Sequence, residues 1–155
     1  MLRAMVVGGL LALPVQAASA ASVEDGARLA VISGCHDCHT PGYAQSGGQV
    51  DPARSLVGDG VGFRGPWGTT YPANLRITLS KMSETEFADY AKSFQTRPPM
   101  PWFNVHAWTE DEARSFYLYV KSLGELGPAA PEFVPPGAEP KSPFIVFAPP
   151  QMPGQ

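Results

Sequence analysis

Two thiols and an imidazole fall within five consecutive positions, Cys35-His36-Asp37-Cys38-His39. The order C-x-x-C-H is the pattern through which c-type haem is attached. Two thiols three positions apart lie on one turn, where each can add across a vinyl group of the haem. The following imidazole then falls beneath the ring, within reach of iron. Cys35 and Cys38 are the only cysteines in the 155-residue chain, so no other pair competes for them. Three other chemistries use similar residues. A structural disulfide needs only the two thiols. A thioredoxin-type redox pair uses C-x-x-C in a βαβ context, which the surrounding sequence lacks, and neither of these needs the histidine. A zinc site needs a second ligand pair at suitable spacing, and beyond the motif the chain has only the isolated His106. The expected cofactor is therefore one haem with its iron, held through Cys35 and Cys38, with His39 as a metal ligand.

What occupies the other face of the iron decides the chemistry. A haem with both axial positions filled by protein passes electrons, whereas an open position binds gases or activates peroxide. The candidates after the first twenty residues are Met82, Met100, Met152 and His106. Met100 is favoured as the second metal ligand because it sits in Pro98-Pro99-Met100-Pro101, 61 residues after His39. Proline rigidity would fix the thioether without backbone hydrogen bonds, and a soft, neutral sulfur suits iron in both oxidation states. Met/His ligation also raises the reduction potential. The competing reading of Met100 is a gap-filling core methionine. Met82 stands in a polar turn before a helix, Met152 lies far along the tail, and His106 becomes a rival only if the strap is arranged differently.

These residues need elements to position them. Residues 23–33 read as a helix with Ser22 as N-cap and Glu24 and Asp25 in its first turn, where the helix dipole favours negative charge. Val23, Ala27, Ala30 and Val31 fall on one face. Gly26 inside the helix, at a cost of ~1 kcal/mol against Ala, predicts a close contact with another helix, and Gly34 ends the element. From Pro41 to Leu79 the chain is loop-rich: eight of its sixteen glycines lie between Gly42 and Gly68, so regular structure is not expected there. Gly60-Val61-Gly62-Phe63-Arg64-Gly65 matches G-x-G-x-x-G in form only, because no strand precedes it and Pro66 follows where a helix should open. The segment Pro66 to Leu75 offers aromatics for an apolar ring edge and Thr70, Tyr71 and Asn74 for a polar group such as a propionate. A second helix starts at the capping box Ser83-Glu84-Thr85-Glu86 and runs to about Gln95, with Phe87, Tyr90, Ala91 and Phe94 on one face. Arg97 to Phe103 should not be helical, since three prolines lock φ and remove donors. A last helix begins after Thr109, with Glu112 closing a second box, and runs to Ser122 or Leu123. Its inward stripe is Ala113, Phe116, Tyr117 and Val120, packed on the first helix with Gly26 near Phe116 or Tyr117.

The ends carry a different message. Arg3, the apolar run Ala4 to Leu13 and the small residues Ala18-Ser19-Ala20 form a secretory signal peptide over residues 1–20. Ten apolar residues span about half the ~20 needed to cross a bilayer, and no later segment is apolar enough, so the mature chain should carry no membrane span. Export fits haem attachment and points to a bacterial periplasm. Residues 21–126 form one domain, and 127–155 form a Pro-rich extension. Pro128 to Gln155 holds nine of the seventeen prolines and should be extended. Its island Phe144-Ile145-Val146-Phe147 should lie across the domain or dock on a partner. The net charge of −3 becomes −4 once Arg3 is lost, and basic residues are scattered singly. Nucleic acid and acidic membrane surfaces are therefore not expected partners. A chain this rich in loop gains a large apolar centre from a covalent haem.

Together, a helix leading into C-x-x-C-H, a methionine between prolines and an aromatic C-terminal helix resemble class I cytochromes c over about residues 22–124. The resemblance implies an all-α cytochrome c fold, three to four short helices around one covalent haem. The stretch Gly65 to Leu75 is similar to the corresponding part of cytochrome c modules in bacterial membrane-bound alcohol and gluconate dehydrogenases. That similarity implies that the carbonyl of Pro66 accepts from the second ring nitrogen of His39 and that Asn74 sits near a propionate. Those modules commonly continue into an Ile-Thr-Pro-Asp type sequence and carry several haem motifs, whereas here Leu75-Arg76-Ile77-Thr78 follows and the motif is single.

The favoured expectation is a periplasmic one-electron carrier, not itself an enzyme. It would take electrons from a dehydrogenase and deliver them to an oxidase, a reductase or another cytochrome through small, transient interfaces. The alternatives are a haem-bearing subunit of a dehydrogenase complex, and a haem enzyme or gas sensor with an open sixth site and His106, Tyr71 or Arg97 as distal groups.

Overall fold

The computed structural model describes residues 20–49 and 51–154; the expected leader lies outside them apart from Ala20. Ser22 caps α1 (Val23–Ile32), its hydroxyl accepting from the Asp25 backbone N–H at 3.1 Å. Gly34, in the left-handed region at φ 68°, turns the chain directly into α2 (Cys35–His39), which is the C-x-x-C-H run itself. The other helices are α3 (Leu75–Ser80), α4 (Glu84–Ala91), α5 (Trp102–Val105) and α6 (Glu110–Ser122). Both expected capping boxes form, Ser83 with Glu86 on α4 and Thr109 with Glu112 on α6.

The helix core is built on α6. Gly26 of α1 lies so close to it that an added Cβ would stand 2.0 Å from the Ser115 carbonyl oxygen and 2.7 Å from the Tyr119 Cβ. The expected close contact is therefore present, at Ser115 and Tyr119 instead of Phe116 or Tyr117. That approach also sets the buried face of α1 as Gly26, Leu29 and Ala30. Val23 and Val31 point outward and are exposed, so the expected face is corrected by a rotation about the helix axis. Phe116 turns instead toward α4 and the segment after α5, stacking on Phe87 at 5.9 Å and lying 5.1 Å from Trp108.

The structure is not purely helical. β1 (Gly62–Gly65), β2 (Gly68–Thr70) and β3 (Phe144–Val146) form a small sheet in the order β2-β1-β3. The glycine-rich segment read as loop supplies β1 and β2 as an antiparallel hairpin, with Gly65 opposite Gly68 and Pro66-Trp67 as its turn. The extension adds β3 parallel to β1, so the apolar island lies across the domain. Two further expectations change: α4 ends at Ala91 with Lys92 as C-cap, and Trp102–Val105 is a short helix begun by Pro101 as N-cap. Proline fits there because the first helical N–H groups lack intrahelical acceptors anyway.

Candidate functional site

Cys35, Cys38 and His39 face a cavity of about 450 Å³ whose wall also includes Met100. This is within the ~300–1,000 Å³ range of cofactor-sized sites. The remaining wall is mostly apolar, with Leu79, Phe87, Val105, Trp108 and Phe116 from the helix side. Phe63 and the run Thr70 to Ala73 close it from the hairpin side, and Pro131, Phe133 and Phe147 come from the extension.

The His39 ring is 7% exposed, and its Nδ1–H donates to the Ala73 carbonyl at 2.7 Å. This bond fixes the tautomer and leaves Nε2 as the free lone pair. Burial pushes the imidazole pKa down, with the Ala73 bond opposing. The neutral ring is the form that ligates metal. The expected acceptor, Pro66, is corrected: it sits exposed at the tip of the β1–β2 turn and lies outside the cavity wall. Ala73 takes the role because it immediately precedes Asn74, the N-cap of α3, so its carbonyl is not used by the helix.

Asn74 has its side-chain polar atoms engaged with backbone. Its Oδ1 accepts from the Ile77 N–H at 3.1 Å, and its Nδ2 donates to the Leu126 and Pro128 carbonyls at 2.7 and 2.8 Å. It is buried, outside the cavity wall, and its side-chain capacity is spent holding α3 to the start of the extension. Thr70 lines the cavity, but its hydroxyl donates to the Pro98 carbonyl at 2.7 Å. The methionine strap is thus tied to β2 and does not rely on proline stiffness alone. A bond from the Trp102 N–H to the Met100 carbonyl, 2.9 Å, holds its other side.

The rival ligands fall elsewhere. His106 Nε2 is 2.8 Å from the Phe94 carbonyl and its ring packs against Trp102. Met152 is exposed, and Met82 packs against the core while its carbonyl accepts from the Tyr117 hydroxyl. None of the three lines the cavity, whereas Tyr71 and Arg97 do.

Both cysteines are free thiols. Burial raises Cys35 to about 12 and also pushes Cys38 up, with Asp37 adding to both. A redox dithiol works through a lowered thiolate pKa, so this environment is the reverse of what that chemistry requires.

Two residues without an expected role hold the site in place. His36 is buried between Tyr43 and Tyr119. The Thr40 hydroxyl accepts from the Leu56 N–H at 2.9 Å and is hydrogen-bonded to His36 Nδ1 at 2.7 Å. Arg76 is buried and makes no salt bridge among the described residues. Its guanidinium donates to the carbonyls of Ser55 (2.8 Å), Leu123 (3.0 Å), Glu125 (2.8 Å) and Pro52. The first is an x position of the motif, and the second is a charged residue in an apolar run; neither has a local signal of burial.

No family model, no curated protein and no solved structure matches this chain.

Proposed function

We propose that the chain is a single-haem c-type cytochrome that carries one electron at a time between redox proteins. One observation carries the reading: Cys35, Cys38, His39 and Met100, separated by up to 65 positions in the sequence, converge on one apolar cavity of cofactor size. The donor set fits the group. Two neutral thiols stand one helical turn apart at the wall, an imidazole is oriented through its Nδ1, and a soft sulfur sits in a strap braced by Thr70. Among the described residues no three His, Cys, Asp or Glu side chains gather to hold a bare ion. When bound, haem supplies an iron that cycles between Fe(II) and Fe(III).

The chain's own residues would do the rest. Cys35 and Cys38 would anchor the ring as thioethers. His39 would ligate one face through Nε2 with its basicity raised by the Ala73 carbonyl. Met100 would fill the other face and exclude exogenous ligands, and the aromatic wall would keep water from the iron. Dehydrogenase donors and oxidase or cytochrome acceptors in a periplasm are the partners this reading calls for. Among the described residues no helix is long and apolar enough to cross a membrane.

The test is spectroscopic. Covalent haem with a low-spin spectrum and a sulfur-to-iron charge-transfer band is expected, with the band lost and the potential lowered in Met100→Ala. A high-spin ferric spectrum that takes up carbon monoxide rapidly on reduction would overturn the carrier.

A further inference from the structure

A mostly apolar cavity has one permanently charged side chain in its wall, Arg97, three positions before Met100. The other titratable wall groups are Cys35, Cys38, His39, Tyr71 and Tyr90. In the proposed haem protein the thiols become thioethers, His39 binds iron, and a tyrosine is neutral at ordinary pH. Arg64 and Arg114 pair with carboxylates at 2.7–3.1 Å, and Arg76 is held by four carbonyls. Arg97 has neither arrangement among the described residues. Its guanidinium carbon instead lies 3.9 Å from the centre of the Phe133 ring.

Phe133 is held there by the extension. The neighbouring Val134 bridges Thr69 through two backbone bonds, 2.8 and 3.0 Å, against β2. Gly68 makes this approach possible, because a Cβ at that position would meet the Val134 carbonyl oxygen at 2.4 Å. A planar guanidinium laid on an aromatic face keeps its N–H edge available for a carboxylate in its plane. Arg97 is also exposed at the cavity rim, where the acidic end of an otherwise apolar ligand has to emerge.

We propose that Arg97 and Phe133 form a carboxylate clamp for a haem propionate, with Arg97 making the contact and Phe133 of the extension positioning it. The clamp rests on the proposed haem reading, and it makes the C-terminal extension part of the cofactor site rather than an appendage.

The experiment uses the full-length holoprotein and reads two quantities, the resonance Raman bending mode of the propionates and the midpoint potential. In Arg97→Gln the propionate mode should shift. Loss of the positive charge should also favour Fe(III) about tenfold, about 59 mV for one electron. Arg97→Lys, which keeps the charge but not the fork, should retain most of the potential and still shift the mode. Phe133→Leu should shift the mode in the same direction, and Phe133→Tyr, which keeps the aromatic face, should restore it. Arg28→Gln removes an equal charge from α1, outside the cavity wall, and should move neither reading. An unchanged propionate mode in Arg97→Gln, with covalent haem and the low-spin spectrum intact, overturns the clamp and leaves the carrier standing. A wild-type potential that moves with added phosphate while the mode stays fixed assigns Arg97 to solution anions and also overturns it. Absence of covalent haem from the purified wild type overturns both readings.

Discussion

At the scale of single residues, the site depends on groups that spend their polar capacity on backbone. Arg76 is the extreme case: a buried cation whose solvation shell is four carbonyls from the 52–55 loop and the chain after α6. Arg76→Leu would leave the buried Ser55 carbonyl and the partly buried Leu123, Glu125 and Pro52 carbonyls without this donor. The expected loss is about 3 kcal/mol or more, read as a lower urea midpoint. Arg76→Lys should recover only part of it, because one ammonium cannot span the four acceptors that the planar fork reaches. The chemistry-bearing residues were legible because type and spacing are local: C-x-x-C-H lies on one short helix, and Met100 announces itself by its prolines. Their supports were not. The exchange of Pro66 for Ala73 as the partner of His39 depends on where a hairpin turn points. The role of Asn74 depends on carbonyls more than fifty positions away.

At the scale of elements, α1 and α6 form the frame that presents α2 to the cavity, and Gly26 sets their separation. Gly26→Ala would gain ~1 kcal/mol of helix propensity but must push the new methyl against the Ser115 carbonyl, an overpacking that costs about 1–3 kcal/mol or more. A net fall in thermal midpoint is expected. Caps and stops were readable here, as Ser22, Ser83, Thr109 and Gly34 each act within a few residues. The buried face of α1 was misread because Val23 and Val31 are apolar yet exposed; the close packing at Gly26, not hydropathy, fixes the rotation. The sheet was invisible for a related reason. Glycine-rich strands of three or four residues carry no alternation, and β1 gains its second partner from more than eighty positions downstream.

At the scale of the whole molecule, the extension is bound back through β3, the Val134–Thr69 bridge, the Ser142–Tyr71 hydroxyl bond and the two-pronged Arg64–Glu139 ion pair. Arg64 holds the Glu139 carboxyl below the usual carboxylate range. Its contribution to docking is thus fully present above the free-carboxylate pKa and is lost as pH falls through the lowered, docked value. Both partners are on the surface, so the effect is modest and weakened by salt. Limited proteolysis should cut residues 127–143 faster below pH 4 than at pH 7, and Glu139→Gln should remove most of that difference. The position of this extension in the chain has a consequence for assembly. Pro131, Phe133 and Phe147 follow every other wall residue in sequence, so a chain folding from its N-terminal side presents Cys35 and Cys38 before the extension's part of the cavity wall is in place. A bulky ring can enter at that stage, and the docking of the extension, Val134 on β2 and β3 on β1, then completes the wall. Maturation under the proposed reading therefore has a built-in order, attachment first and closure second.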